Sequence, residues 1–305
     1  MPATPTIRSS ADATNQPRAN AHAAAEGVRL RSLASADEYR AAVALQIETW
    51  GEESADIVPA SLMQVAAHIG GLAVGAFSDD DVLLGFAFSL QGLRAGERVH
   101  WSHMLAVHRD ARGAGIGRRI KEWQRAELAR RGVDRLFWTF DPLQARNAHL
   151  NLNRLGVQVL EYVVNMYGSS ASRLHHGMET DRLIVSWPTD GHATERSIAM
   201  TAEPLPILTP FPRPGDQRLD VGAATTVPAI ALIEIPAELD EVAARSPVTA
   251  TVWRAATRQH FQWALLHRCA ITGLRRDPVA TRAFYVITST AMTGSTNAAQ
   301  PQPSQ

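Results

Sequence analysis

The sequence has little cysteine, no excess of charge of either sign and no long apolar run. Its single cysteine, Cys269, excludes an internal disulfide and a cysteine-rich zinc site, and it suits a reducing compartment. Lys plus Arg and Asp plus Glu number 30 each, so there is no general attraction to nucleic acid or to an anionic membrane. No stretch approaches the roughly 20 apolar residues of a spanning helix, and the first residues lack the apolar core of a secretory signal. These features predict a cytoplasmic protein with no nucleic-acid or membrane partner.

Composition along the chain predicts five segments. Residues 1–27 and 291–305 are rich in small and polar residues and predict disordered tails. Residues 28–190 carry the patterns of one α/β domain, and the proline-rich residues 191–227 predict a linker. Residues 228–290 predict a smaller strand–helix–strand–strand unit. Because about sixty residues with one helix are marginal alone, we expect this unit to pack on the larger domain.

Apolar periodicity in the larger domain predicts strand, two helices, three strands, helix, strand, helix and two strands. This order predicts a mixed, mostly antiparallel twisted sheet flanked by helices. The predicted strands are 28–33, 72–77, 82–90, 99–107, 136–140, 157–167 and 183–187, and the predicted helices are 36–50, 59–69, 115–131 and 142–155. In the smaller unit they are strands 230–235, 270–274 and 283–287 and helix 249–268.

Two of these helices show clear amphipathic patterns. Ser35, followed three residues later by Glu38, has the spacing of a capping box and predicts where the first helix begins. The apolar stripe of that helix is Tyr39, Val43, Ile47 and Trp50. In helix 115–131 the pattern turns Ile116, Ile120 and Trp123 to a core and Arg118, Lys121, Glu122 and Arg125 to water.

The most informative segment is the glycine-rich turn between the strand ending at Val107 and helix 115–131. Glycines let a backbone approach an anion closely, and a helix N-terminus adds its dipole and free N–H groups. A dinucleotide-binding fold would place such a loop after the first strand, with an acidic residue about twenty positions later; neither condition holds here. The predicted pyrophosphate-binding residues are Arg112, Gly113, Ala114, Gly115, Ile116, Gly117 and Arg118, with Arg119 adding charge.

The pattern Arg112-x-x-Gly115-x-Gly117 resembles the coenzyme A signature of the GNAT acyltransferase superfamily, and the order of elements is similar to that fold. Segments such as Trp138–Leu143 and Ile233–Pro236 resemble a little-characterised branch with a C-terminal extension, so the resemblance covers residues 28–290. It implies an acyl-CoA-dependent N-acyltransferase that uses acetyl-CoA or another acyl-CoA, without metal, by direct attack of an amine. It leaves the acceptor and the acyl chain length open.

The resemblance also implies roles for individual positions. The strand ending at Val107 would splay from strand 136–140, and the backbone of Leu105, Ala106 and Val107 would bind the pantetheine arm and polarise the thioester. Many members keep a tyrosine four residues before the glycine that ends the next helix, where it protonates the leaving thiolate. Counting back from Gly156 gives Leu152, which has no proton to donate. The identity of the general acid, and catalytic activity itself, are therefore open.

An attacking ammonium must lose a proton, and two histidines lie on the strand beside the expected thioester. We expect His100 and His103 on opposite faces of that strand, with His103 preferred because it is nearer the thioester. Glu48 and Asp141 are carboxylate alternatives, although Asp141 also suits a helix cap.

Tyrosines on the strand predicted after Gly156 are candidates for the missing acid. Tyr167 and Tyr162 are both candidates, and packing alone would also explain them. His175 and His176 have no ligand partners at metal spacing, which predicts a loop and no metal site.

Two other functions remain compatible with the sequence. One is a non-catalytic acyl-CoA-binding or interaction protein, which Leu152 favours. The other is an acyltransferase that moves a longer acyl group to a hydroxyl. The expected partner is a small-molecule amine or another acceptor, and a homodimer is left open.

Overall fold

A computed structural model describes residues 27–52, 56–168, 177–191, 204–222, 227–277 and 281–289. By internal contacts the chain divides into two compact units: the first holds residues 1–139, 170–177 and 186–192, and the second holds 140–169, 178–185 and 193–305. Apart from Gly27, the tails expected at 1–27 and 291–305 lie outside the described residues.

The first unit is built on five strands that lie side by side in chain order. They are β1 (Arg29–Ser32), β2 (Leu72–Phe77), β3 (Leu83–Arg94), β4 (Glu97–Val107) and β5 (Arg135–Phe140). The first four pair antiparallel, whereas β4 and β5 pair parallel. A mixed, mostly antiparallel sheet with flanking helices confirms the predicted fold class.

Three helices cover this sheet: α1 (Ala36–Trp50), α2 (Ala60–His68) and α3 (Ile116–Arg130). The N–H of Glu38 donates to Ser35 Oγ at 3.3 Å, and the Glu38 carboxylate accepts from the Ala34 N–H at 2.7 Å. This reciprocal pair begins α1 at the expected residue. Gly51, with φ 95°, ends α1, so both boundaries follow from local sequence.

Two apolar clusters lie on the faces of the sheet. Helices α1 and α2 cover one face with a cluster that includes Tyr39, Leu45, Met63, Phe77, Phe86, Phe88, Met104 and Ala106. Helix α3 covers the other face with Ile116 and Ile120 against Val74, Ala76, Ala87, Leu105 and Val107. The end of β4 therefore lies between two packed layers, and this fixes its position relative to the start of α3.

The amphipathic patterns are wrong at three positions. Lys121 and Arg125 are buried and do not face water. Lys121 reaches a hydroxyl on β4, and Arg125 donates to the Pro188 carbonyl at 2.8 Å, so both have polar partners beneath α3. On α1, Ile47 is 37% exposed, whereas Gln46 is buried because its amide bonds the Val58 backbone in both directions.

The second unit contains a four-stranded sheet. Its strands are β8 (Ile207–Leu208), β9 (Ile230–Pro236), β10 (Cys269–Asp277) and β11 (Arg282–Ser289), and they lie in the order β10-β11-β9-β8. The helices of this unit are α4 (Ala145–Ala148), which continues as a π-helical stretch His149–Arg154, α5 (Leu239–Arg245) and α6 (Pro247–Leu266). Two further strands, β6 (Gln158–Val163) and β7 (Arg182–Pro188), are neighbours of each other. Residues 186–188 of β7 belong to the first unit.

Three features of this unit were not expected from the sequence. The helix expected at 142–155 begins only at Ala145, because Asp141 Oδ1 accepts the Leu143 N–H at 2.8 Å and holds a turn. A short strand lies in the proline-rich stretch, where β8 pairs parallel with β9. The third feature is helix α5.

Candidate active site

Strands β4 and β5 part from each other after three residue pairs. The pairs are Val99↔Arg135, His100↔Leu136 and Trp101↔Phe137, and β4 then continues to Val107 with β3 as its neighbour. Within the described part of the chain, one edge of β4 therefore has no strand partner from Ser102 onward, which agrees with the splay that the resemblance implies. The backbone of Leu105, Ala106 and Val107, the residues assigned to the pantetheine arm, lies within this stretch.

A β-bulge lies at His103, where β4 parts from β5. Phe88 pairs with Met104 and Ser89 pairs with Ser102, so His103 is the extra residue of β4. Burial lowers the pKa of His103, and the Asp56 charge opposes part of this shift. The residue is nonetheless exposed, so neighbouring protein atoms partly desolvate the ring and still leave it open to solvent.

His100 differs sharply from His103. It is fully buried, and its Nδ1 lies 3.0 Å from Ser89 Oγ. Burial, with a smaller effect of the Arg131 charge, lowers the pKa of His100 to about 4. The His100 ring is therefore closed off from solvent, whereas His103 is exposed.

The glycine turn ahead of α3 has the geometry of an anion cradle. Gly113 and Gly115 have φ of 87° and 75°, and a Cβ added at either would meet nothing within 4 Å. Gly115 is also the N-cap of α3 and offers no side-chain cap, so the first helical N–H groups have no side-chain acceptor there. Gly117 differs, since a Cβ there would contact Val107 at 3.7 Å. The turn thus has open space beside Gly113 and Gly115 at the start of α3.

The arginines beside the cradle have different surroundings. Arg112 is exposed, and its Nε donates to the Val107 carbonyl at 3.0 Å, which holds it at the end of β4. Arg118 pairs with Glu122 at 2.7 Å. Arg119 donates to the Val28 carbonyl at 2.8 Å, so part of its guanidinium is directed to the start of β1. Arg112 is thus held at the end of β4, beside the cradle.

The structure pairs Glu48 with a histidine that sequence reasoning missed. Glu48 Oε2 lies 3.4 Å from His108 Nε2, and Oε1 lies 3.7 Å from Arg109 Nε. His108 directly follows β4, on the way to the cradle. Its position after a predicted strand was visible in the sequence, but its partner on α1 was not.

The remaining candidates lie in the second unit. Tyr167 is in a turn after β6 and not on a strand as expected; the Arg182 guanidinium lies 5.4 Å from its ring centroid. Tyr162 is buried, donates to Asp181 at 2.6 Å and stacks on Phe261, so it is a packing residue.

Two further positions of the second unit are buried. Leu152 is fully buried. Asp141 accepts two hydrogen bonds from Arg254, at 2.6 and 2.9 Å. His175 and His176 lie outside the described residues.

Residues 32–156 match the model of the acetyltransferase (GNAT) family. This segment is a GNAT acetyltransferase domain. The match includes the glycine cradle and both parted strands, and it confirms the resemblance drawn from the sequence. Acyl transfer from an acyl-CoA is the chemistry that the family assigns to this domain. Among curated proteins no sequence matches the chain.

Solved structures similar to the GNAT domain include three named acetyltransferases. A phosphinothricin acetyltransferase from Sinorhizobium meliloti with AcCoA is 16% identical, covering 55% of this chain and 94% of that chain at TM-score 0.45. The ribosomal-protein-S18-alanine N-acetyltransferase from Escherichia coli is 20% identical, covering 56% and 99% at TM-score 0.39. The ribosomal-protein-S5-alanine acetyltransferase from Vibrio fischeri is 13% identical, covering 54% and 94% at TM-score 0.44. These similarities are too remote to carry an argument about substrate.

Two features of the described ranges concern membranes and metals. None of their helices combines the length and the apolar character needed to cross a membrane. Nor do three or more His, Cys, Asp or Glu side chains in these ranges come together as a metal site.

Proposed function

We propose that the chain transfers an acyl group, with acetyl as the first choice, from acyl-CoA to an amine by direct attack. The observation that carries this proposal is the parting of β4 from β5 after Trp101, next to a glycine cradle that opens α3. The free strand edge suits an extended amide-bearing chain, and the helix N-terminus suits a pyrophosphate. The lone buried cysteine and the need for acyl-CoA favour a cytoplasmic reaction.

The residues present fit coenzyme A. Its pyrophosphate would lie on the N–H groups of 113–117, where the open space above Gly113 and Gly115 admits phosphate oxygens. Arg112 and Arg118 would supply positive charge. The pantetheine amides would then meet the β4 edge at Leu105, Ala106 and Val107, and a backbone N–H there would polarise the thioester carbonyl.

His103 is the proposed base. It is exposed at the bulge, within the stretch of β4 that has no β5 partner. A neutral imidazole there would take a proton from the acceptor ammonium before the amine attacks the thioester carbon. The amine then forms the new C–N bond, and the C–S bond breaks with its electron pair passing to sulfur.

Thermal unfolding with coenzyme A or acetyl-CoA tests the cradle. A ligand that binds only the folded state raises Tm by mass action. Gly115→Glu should abolish the rise, because it places a side chain and a negative charge where the phosphates would lie. Gly96→Glu is the matched control: Gly96 has φ 84°, its added Cβ also meets nothing within 4 Å, and it lies in the β3–β4 turn. Loss of the shift in both variants, or no shift in the wild type, would refute the coenzyme site.

A non-catalytic acyl-CoA-binding protein is the second candidate, and the buried Leu152 favours it. An acceptor screen that detects free coenzyme A thiol separates the candidates. Release with amines supports the proposal, and release only with alcohols and long acyl-CoA points to hydroxyl transfer. Binding without release from any acceptor points to the non-catalytic protein.

A further inference from the structure

Lys121 is the only lysine in the chain; every other member of the 30 Lys and Arg residues is arginine. It lies on α3 and is only 3% exposed. An ammonium in such a position loses its hydration, so this is an expensive place for a charge. Among these 30 residues, the one that can readily lose its proton therefore occupies a buried position.

The neighbours of Lys121 are polar or aromatic but not acidic. Its Nζ donates to Ser102 Oγ at 2.7 Å and lies 4.0 Å from the ring centroid of Trp138. Ser102 Oγ in turn donates to Gln124 Oε1 at 3.0 Å. Within the described ranges no carboxylate pairs with Lys121, and burial lowers the pKa of Lys121 to about 7. The amine thus exchanges its proton near neutral pH, which an arginine cannot do.

Lys121 lies where β4 and β5 part. Trp101↔Phe137 is their last pair, and the next residues on the two strands are Ser102 and Trp138, the two contacts of the amine. Helix α3 begins at the cradle, and six residues separate Gly115 from Lys121, about 9 Å along the axis. An acyl-pantetheine arm that runs from the cradle between the strands therefore points its thioester toward this amine.

The same place holds buried polar atoms without partners. His100 Nε2 and Gln124 Nε2 are buried and have no hydrogen-bond partner among the described residues. Such atoms are rare in folded proteins and carry a free-energy cost, so they call for an explanation. Titratable groups on these elements include His100 of β4, on which the Arg131 charge acts, and Arg125 of α3 itself, one turn on; β5 contributes Trp138, which does not titrate.

On the basis of the proposed function, we propose that Lys121 is a catalytic residue that donates the proton to the coenzyme A sulfur as the thioester breaks. The amine of the acceptor forms the C–N bond and its nitrogen releases one N–H proton to water, the C–S electron pair goes to sulfur, and an N–H proton of the Lys121 ammonium passes to that sulfur. Neutral Lys121 then recovers a proton from solvent. Nothing is oxidised or reduced.

The bound coenzyme reports on this contact without any knowledge of the acceptor. In a Cys269→Ala background the coenzyme carries the only thiol, and its thiolate is followed by ultraviolet absorbance and by reaction with a chromogenic disulfide across pH. A nearby ammonium stabilises a thiolate, so Lys121→Met should lower the thiolate reactivity of bound coenzyme A at neutral pH by about tenfold. Lys121→Arg should keep that reactivity but lose turnover, because the guanidinium keeps the positive charge and does not release a proton. Arg125→Met, which removes another buried cation of α3, should leave the thiol unchanged.

A second measurement uses the wild-type side chain and needs no variant to fold. Protein grown with ¹³C-labelled lysine gives one side-chain signal, whose titration midpoint should lie near neutral pH and move upward with coenzyme A. Desulfo-coenzyme A, which lacks the sulfur, should not move it. Two results overturn this inference and leave the proposed function intact. One is equal thiolate reactivity of bound coenzyme A in wild type and Lys121→Met. The other is a lysine signal that coenzyme A and desulfo-coenzyme A affect equally. Failure of coenzyme A to bind the wild type removes the proposed function instead.

Discussion

The carboxylate of Glu48 joins helix α1 to the turn that follows β4: Oε2 lies 3.4 Å from His108 Nε2 and Oε1 lies 3.7 Å from Arg109 Nε. Both partners lie between the end of β4 and the glycine cradle. Half-exposed pairs of this kind contribute about 0–1 kcal/mol and are screened by salt. Glu48 is therefore placed to steady the cradle, whereas His103 lies at the bulge of β4.

The variant Glu48→Gln separates these two roles. We expect coenzyme A affinity to fall by no more than about fivefold, the equivalent of a pair worth up to about 1 kcal/mol, with turnover mostly kept. Calorimetric binding and steady-state thiol release measure the two effects. Unchanged affinity with turnover reduced by about 10² or more would make Glu48 the base in place of His103.

The variant His103→Ala should lose about 10²–10⁴ in turnover while it keeps the thermal shift with coenzyme A. Because burial lowers the pKa of His103, with partial opposition from Asp56, the ring stays neutral below its usual titration range. Wild-type activity should therefore hold through pH 6.5, about the ordinary histidine value, and decline only at lower pH as the ring protonates. His68→Ala, an exposed histidine of α2, is the control. Full turnover of His103→Ala with the same acid limb would place the base elsewhere.

The sequence predicted those parts of the fold that local pattern determines. Strand β2 occupies the predicted residues 72–77, because a short run without polar side chains between turn residues defines it. The start of α1 followed from the capping box at Ser35 and Glu38. The cradle followed from glycine spacing, since Gly113 and Gly115 adopt positive φ as such a turn requires.

The rest depends on contacts between distant residues, which no local pattern contains. The bulge at His103 arises from the register of β4 against β3 and leaves no mark in the alternation of apolar residues. Lys121 has the periodic position of a surface residue, yet Ser102 from β4 gives it a buried partner. Only the count of lysines in the chain marks that position as unusual.

Acid should weaken the second unit through Asp181, a fully buried carboxylate. Burial alone would raise the pKa of Asp181, but hydrogen bonds from Arg258 and Tyr162 outweigh it and hold the pKa below its usual range. The stability that this group contributes is therefore present above the ordinary aspartate value of about 3.9 and is lost as pH falls through the lower folded value. Asp181→Asn should be less stable than wild type at pH 7, with a gap that narrows below about pH 4. Denaturation at several pH values checks this, and a gap that does not change with pH would contradict it.

Asp141 and Arg254 form a second buried contact, with two hydrogen bonds at 2.6 and 2.9 Å and side chains 8% and 4% exposed. Asp141→Asn leaves the Arg254 guanidinium buried without its charge partner, which costs about 3–5 kcal/mol in comparable cases. Glu241→Gln is the control, because Glu241 pairs with Arg245 on an exposed face of α5 and should cost under about 0.5 kcal/mol.

The double variant Asp141→Leu/Arg254→Met gives the sharper result. Replacing a buried ion pair by apolar side chains of similar size is often neutral, so it should be more stable than Asp141→Asn alone. Part of the loss of stability should remain in the double variant, because Arg182, whose Nη1 lies 3.6 Å from Asp141, also loses its anionic neighbour. Urea denaturation of the wild type, Asp141→Asn, the single variants Asp141→Leu and Arg254→Met, and the double variant measures these differences as unfolding free energies. Losses that simply add between Asp141→Leu and Arg254→Met would show that the two side chains do not interact, and that the turn at Asp141 depends on its bond to the Leu143 N–H instead.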